Sequence, residues 1–336
     1  MPDLLPDDVP ELHRAKLIAA IEDGFGGGEV SSVRAVGGGA SGALTFRVES
    51  RHGAFLLRGE TLGGPLRNPS QYDCMQIAAD AGIAPPIRYV DAEAGVVIIR
   101  WIEQRPLDAF AGGPPALATA AGELLARLHE TRLFPARADH LENLSGVLGH
   151  LESSGRVAPG LLDPHRAAFA ELRAAYPWLP DAHVSAHNDP NQFNLLSDGD
   201  RLWLVDWETA NRNDPMIDLA TACSYLGPTP ELRDRLLAAA LRRSPDDVDR
   251  AKLVLAENLV RLFAGCILLL IVADPANPTH TDLDAMSPAE FGDRIGRGEL
   301  VAGTPATTLA YAKIVLGQFV EAMQTAEVRA AMATAT

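Results

Sequence analysis

Cysteine is scarce in this sequence. Cys74, Cys223 and Cys266 stand far apart with no CxxC pair, which argues against a disulfide framework and a cysteine zinc site and predicts a reducing, cytoplasmic setting. Lysine is just as scarce, with Lys16, Lys252 and Lys313 as its only copies. Positive charge is in deficit overall: 29 Lys+Arg face 44 Asp+Glu, a formal net charge of −15. A protein dedicated to nucleic acid must neutralise phosphates, so this balance disfavours such a partner and suits small cationic ones. Long apolar runs are missing as well. The most apolar stretch, Cys266 to Ala273, has eight residues where a bilayer span needs about 20, so it is expected to be the buried part of a core helix, with no membrane partner. The opening MPDLLPDDVPEL places Asp and Pro where an export signal has basic and then continuous apolar residues.

What is present suffices for a large core: 336 residues, 47% of them hydrophobic, enough for two domains or one large two-lobed one. A helix is predicted over Glu11 to Gly24, then strand, glycine loop, strand, turn and strand from Val30 to Arg58. In the middle strand Leu44, Phe46 and Val48 alternate with Thr45, Arg47 and Glu49, the period of a half-buried antiparallel strand. A helix over Pro69 to Ala81 ends before Pro85-Pro86, and strands follow at Ile87 to Val90 and Gly95 to Trp101. Beyond Arg105 the pattern becomes helical: Ala116 to Glu130, Pro164 to Tyr176, Met216 to Tyr225, Pro230 to Arg243, Pro245 to Ala273, Ser287 to Arg297 and Thr304 to Val328. The Ala-rich tail after Glu327 is expected to fray. Between Ala182 and Asp206, short apolar runs alternate with turn residues, predicting small strands that carry loops. Residues 1–105 hold 10 basic and 14 acidic residues, and 106–336 hold 19 and 30, so the acidity sits in the helical part.

Two motifs carry chemistry. Gly37-Gly38-Gly39-Ala40-Ser41-Gly42 satisfies GxGxxG through Gly37, Gly39 and Gly42. A dinucleotide fingerprint needs that loop to open a helix, whereas a strand follows here, the context in which backbone N–H groups fold over nucleotide phosphates. A plain hairpin tip is the alternative reading of these residues alone. The second motif, HNDPNQFN from His187 to Asn194, has the form HxDxxxxN and is followed by Leu204-Val205-Asp206-Trp207-Glu208. Asp189 can orient a substrate hydroxyl and accept its proton. Asn194 and Asp206 offer the hard oxygen ligands that Mg²⁺ prefers. Taken singly, each acidic residue could be a solvated loop charge; in this order, behind a glycine hairpin, they fit phosphoryl transfer.

These stretches resemble the aminoglycoside phosphotransferase and choline kinase families, which share the protein-kinase-like fold, and HNDPNQFNLL…LWLVDWETANRNDPMIDLA is most similar to bacterial choline and thiamine kinase-type proteins. GGGASGALTF, FLLRGE, AGIAPPIRYVD, IIRWIEQRPL and LLARLHE extend the likeness over most of the chain. The resemblance implies an α+β, two-lobed fold: a small antiparallel β N-lobe with one inserted helix (1–102), a hinge at about 101–106, and a larger, mainly helical C-lobe (103–336) that carries the catalytic and substrate-binding residues. It implies ATP and Mg²⁺ as cofactors. Asp189 becomes the catalytic base and His187 a loop-ordering member of the catalytic set. Asn194, Asp206 and Glu208 become the metal-binding residues. Gly37, Gly39, Ser41, Gly42, Arg58 and the hinge residue Trp101 become the nucleotide-binding set. Asp218 resembles a carboxylate that braces the catalytic loop.

Two features depart from the wider pattern. Protein kinases place Lys where Arg58 stands, an exchange usual in choline kinase-like members, and the acidic partner expected for it on the inserted helix falls near Gln71, with Asp73 and Glu60 as imperfect substitutes. Choline kinases hold quaternary ammonium over aromatic faces, yet after Trp207 the aromatics are only Tyr225, Phe263, Phe291, Tyr311 and Phe319. The expected activity is transfer of the ATP γ-phosphoryl group to a hydroxyl of a cationic, choline- or ethanolamine-like small molecule. Asp282, Asp284, Glu290 and Asp293 are candidate lining residues. The alternatives are an aminoglycoside or other antibiotic O-phosphotransferase and, on the non-catalytic side, a nucleotide-binding pseudokinase.

Overall fold

A computed structural model describes residues 5–6, 9–26, 29–37, 43–61, 68–272 and 280–335. In chain order its elements are α1 (Glu11–Phe25), β1 (Val30–Ala35), β2 (Leu44–Ser50), β3 (Gly53–Gly59), α2 (Gln71–Asp80), β4 (Ile87–Asp91), β5 (Val96–Arg100), α3 (Gly113–His129), α4 (His140–Ser153) and α5 (Asp163–Ala175). There follow β6 (Val184–Ala186), β7 (Leu195–Ser197), β8 (Leu202–Leu204), β9 (Asn211–Asn213), α6 (Pro215–Leu226), α7 (Pro230–Leu241), α8 (Asp247–Val272), α9 (Pro288–Gly296), α10 (Pro305–Met323) and α11 (Ala326–Ala335). The fold is the expected α+β one, a small antiparallel sheet with one inserted helix followed by a larger helical part. The chain forms two compact units, one from residues 1–135, 185–211 and 225–240, the other from 136–184, 212–224 and 241–336.

The first unit is built on a five-stranded antiparallel sheet in the order β1-β2-β3-β5-β4. Alternation along β2 and β3 puts Phe46, Val48 and Leu57 on one face with Val96 and Ile98 of β5, and α1 covers that face with Leu17, Ile21 and Phe25. Arg58 follows Leu57, so its side chain leaves the opposite face, away from α1. In the same unit α3 packs on α7 across Gly122, where a Cβ would lie 2.8 Å from that of Ala239 and closer still to the Leu236 carbonyl.

The second unit is helical, with α8 at its centre. Leu255, Leu259, Leu262 and Leu269 are fully buried along one side of α8, and α4, α5, α10 and α11 pack on it. Gly265 lets α10 approach: a Cβ there would stand 2.8 Å from the Leu316 side chain. Cys266 to Val272 of the apolar run read from the sequence are the end of this 26-residue helix, the one helix among the described residues long and apolar enough to cross a bilayer by length and composition alone, and Ala273 lies outside the described residues. Its Cys266 and Leu269 are buried as expected, and Ile271 is exposed.

Three elements differ from expectation. Helix α4 was not foreseen, although Leu141, Leu144, Leu148 and Leu151 form its buried stripe and Asp139 and Glu142 make a reciprocal capping box. The long C-terminal helix is two helices, because the Thr325 hydroxyl accepts the Val328 N–H at 3.3 Å and starts α11 afresh. The tail does not fray: α11 buries Val328, Ala331 and Ala335 and packs on α8.

Candidate functional site

The β7–β8 hairpin is the frame of the site. Leu195, Leu196 and Ser197 pair with Leu204, Trp203 and Leu202 across a turn at 198–201, and Val205 N–H donates to the Asn194 carbonyl at 3.0 Å. Two three-residue strands and a short turn therefore return the chain to its starting end, which places Asn194, just before β7, beside Asp206, just after β8. The spacing in the sequence is the length of this hairpin.

Asp189 is held from within its own loop. Asn191 Nδ2 donates to Asp189 Oδ1 at 2.9 Å, and Asn194 Nδ2 donates to Asp189 Oδ2 at 3.1 Å and to its backbone carbonyl at 2.9 Å. Burial raises the pKa of this carboxyl above the ordinary aspartate value and the charge of Asp206 adds to the rise, while the two amide donors oppose it. His187 is fully buried; its Nε2–H donates to the Val205 carbonyl at 3.0 Å and its ring lies 4.7 Å from that of Trp207. These contacts join the loop to the segment carrying Asp206, which fits an ordering role. Asn188, in the left-handed region at φ 67°, donates to the Thr209 carbonyl at 2.8 Å and to Asn211 Oδ1 at 2.6 Å. That second bracket on the loop was not read from the sequence, where Asn188 passes for filler between His and Asp.

Asp206 also has a left-handed backbone, φ 69° and ψ 70°, a conformation Asp tolerates better than most residues, and it leads into a 3₁₀ turn at Trp207–Thr209. Helix α2 packs on this turn, and the Asn68 amide donates to the Ala210 carbonyl at 2.8 Å. Arg58 Nη2 contacts Asp206 Oδ1 at 3.4 Å and binds Glu208 Oε1. Burial works against the Arg58 charge, but Asp206 and Glu208 outweigh it and hold its pKa above normal. Asp206 and Glu208 are thus acidic partners of Arg58. Glu60 is engaged otherwise, accepting from Gln71 Nε2 and, at 2.6 Å, from the Tyr72 hydroxyl.

The remaining sequence-derived residues are less gathered. Gly37 is exposed and follows β1; Gly39, Ser41 and Gly42 lie outside the described residues. Trp101 carries the Arg47 guanidinium 4.7 Å from its ring centroid, and Glu49 and Glu103 hold that Arg47 at 2.7 and 2.8 Å. In the second unit Asp218 is fully buried, and Asp282 is paired with Lys313 at 2.5 Å, which offsets its charge. Asp284, Glu290 and Asp293 are exposed.

No cluster of three or more His, Cys, Asp or Glu residues that could hold a metal occurs among the described residues. A Mg²⁺ bound with nucleotide needs only one or two carboxylates plus phosphate oxygens, and Asp206, Glu208 and the amide oxygen of Asn194 are donors of the right chemistry. One unit thus assembles an oriented carboxylate, two further carboxylates with hard oxygens, and a half-buried guanidinium.

The sequence profile of the phosphotransferase enzyme family matches residues 32–254. No curated protein sequence matches the chain. Among solved structures it is similar to a choline/ethanolamine kinase family protein from Mesorhizobium loti, at 22% identity over 96% of this chain and 98% of that one, with a TM-score of 0.69. It is also similar to the choline kinase LicA from Streptococcus pneumoniae, at 18% identity, 91% and 99% coverage and a TM-score of 0.60; LicA has also been solved in complex with AMP. A spectinomycin phosphotransferase matches at 12% identity, 90% and 98% coverage and a TM-score of 0.52. At these identities the likeness is one of fold, whereas the profile spans most of the chain, including the glycine-rich loop and the HxDxxxxN motif. By that match the chain belongs to the phosphotransferase enzyme family.

Proposed function

We propose that this phosphotransferase moves the γ-phosphoryl group of ATP, with Mg²⁺, onto a hydroxyl of a small cationic alcohol of the choline or ethanolamine kind. The observation that carries the reading is the hairpin that sets Asn194 and Asp206 side by side next to the held carboxylate of Asp189. Asp189 orients the acceptor hydroxyl and takes its proton. Asn194, Asp206 and Glu208 are the residues that hold Mg²⁺, which when bound neutralises phosphate charge. Arg58 supplies fixed positive charge for the phosphates, the backbone of Gly37, Gly39, Ser41 and Gly42 is assigned to hold them as well, and Trp101 borders the nucleotide. Catalysis then comes from positioning and charge neutralisation.

A cationic acceptor is supported by the net charge of −15 and by the choline and ethanolamine kinases among the similar structures. The test is ADP release from Mg²⁺–ATP across choline, ethanolamine, thiamine, neutral sugars and aminoglycosides. Turnover is expected with an amino alcohol. Turnover confined to neutral sugars would remove the charge argument, and nucleotide binding without turnover on any acceptor would favour a non-catalytic role.

A further inference from the structure

We propose that Asn191 is a positioning residue that fixes the Asp189 carboxylate for proton acceptance, acting through Asp189 and touching neither nucleotide nor acceptor. The inference rests on the reading of Asp189 as the base. Pro190 has no N–H to give, so Asn191 is the first residue after Asp189 that can donate from its backbone, and its N–H binds the Asp189 carbonyl at 2.8 Å. Its own carbonyl accepts the Asn194 N–H at 3.1 Å. Its side chain works in two directions: Oδ1 accepts the Phe193 N–H at 2.8 Å, and Nδ2 donates to Asp189 Oδ1 at 2.9 Å. One side-chain amide thus links the carboxylate to the backbone leading into Asn194.

Each carboxylate oxygen of Asp189 takes one amide donor, Oδ1 from Asn191 and Oδ2 from Asn194. Two donors on different oxygens fix the rotation of the carboxylate plane, which one donor leaves free. A base acts only along the direction of its lone pair, and small losses of alignment cost large factors in rate. Asn194 is committed to the same carboxylate and is also a candidate metal residue. Asn191 is therefore the member that aligns the carboxylate without a part in metal binding, its other side-chain bond going to the loop backbone.

Two substitutions separate this role from upkeep of the loop. Asn191→Ala removes both side-chain bonds; Asn191→Asp keeps an oxygen for the Phe193 N–H but replaces the donor to Asp189 with a repelling carboxylate. Turnover is read with the most active acceptor of the panel above and, without acceptor, as ATP hydrolysis; melting temperature reports folding. Both variants are expected to lose about 10- to 100-fold in kcat, with KM for ATP and for acceptor within about threefold of wild type. Adding Asn191→Ala to Asp189→Asn should cost less than threefold further, since the amide has then lost the base it aligns. A folded Asn191→Asp with wild-type kcat, or a double variant whose losses multiply, overturns the inference while Asp189→Asn alone still reports on the base. An Asp189→Asn enzyme with full kcat overturns both.

Discussion

Asp189, Asp206 and Asn194 divide the work of the proposed reaction in ways that substitution can separate. Asp189→Asn removes the proton acceptor while keeping the shape of the side chain and one of its two acceptor oxygens, so it should fold, bind Mg²⁺–ATP and lose about 10²–10⁴-fold in turnover. A variant within threefold of wild type would take that role from Asp189. Asp206→Ala and Asn194→Ala should each raise the Mg²⁺ concentration for half-maximal rate, Asp206→Ala more, because it brings a full charge to a doubly charged ion. An unchanged Mg²⁺ titration for both would remove them as ligands. These residues were legible in the sequence because their grouping is local: a loop and one short hairpin bring them together. The partner of Arg58 was not, because Asp206 lies 148 residues further on and only the folded sheet decides which face Arg58 leaves by.

At the scale of elements, the sheet and most helices could be read from periodicity, and the two helices that could not are rich in small residues that weaken the hydropathy signal. Helix α4 carries Gly146 and Gly149 in its interior, which dilutes the helical signal, and its start is written in a capping box rather than in hydropathy. The C-terminal tail looked frayed because alanine buries little area per residue, yet Val328, Ala331 and Ala335 share one buried face. Val328→Asp should therefore destabilise the second unit by about 2–3 kcal/mol in urea unfolding, and wild-type stability in that variant would mean the tail contributes nothing. Helix α4 also makes stability depend on pH. His140 is buried against Phe263, 4.9 Å between ring centroids, and burial lowers its pKa from 6.5 to about 4, against weaker support from Leu259 and Asp139. The unfolded chain thus binds the proton more readily than the fold, so this stabilisation is complete above pH 6.5 and drains away as pH falls towards 4. Between pH 7.5 and 5 the loss from His140 should be about 2 kcal/mol, read as the part of the pH dependence that His140→Phe abolishes; equal slopes in the two proteins would refute it.

For the molecule as a whole, the charge balance was countable from the start, while its bearing on the acceptor is a matter of kinetics. A net charge of −15 produces a field that attracts a cationic alcohol from solution, and salt screens it over a Debye length of about 8–10 Å. The sign does not discriminate between one amino alcohol and another; it favours any cation over any neutral sugar. With ATP saturating, kcat/KM for a cationic acceptor should fall as ionic strength rises, and kcat should hold, because steering acts on encounter and not on the bound complex. A neutral acceptor should show neither change, which makes the pair of salt titrations an internal control. Some carboxylates are locally neutralised, since Asp282 is paired with Lys313, and Asp206 and Glu208 share Arg58, and these groups add little to the net charge. The field must then come from the carboxylates left exposed, Asp284, Glu290 and Asp293 among them. Replacing those three by their amides takes the net charge from −15 to −12, so it should weaken the salt dependence for the cationic acceptor in part and leave kcat alone. An acceptor whose kcat/KM ignores salt in the wild-type enzyme would make the acidity a surface property without a part in recognition, and would move the search to uncharged alcohols.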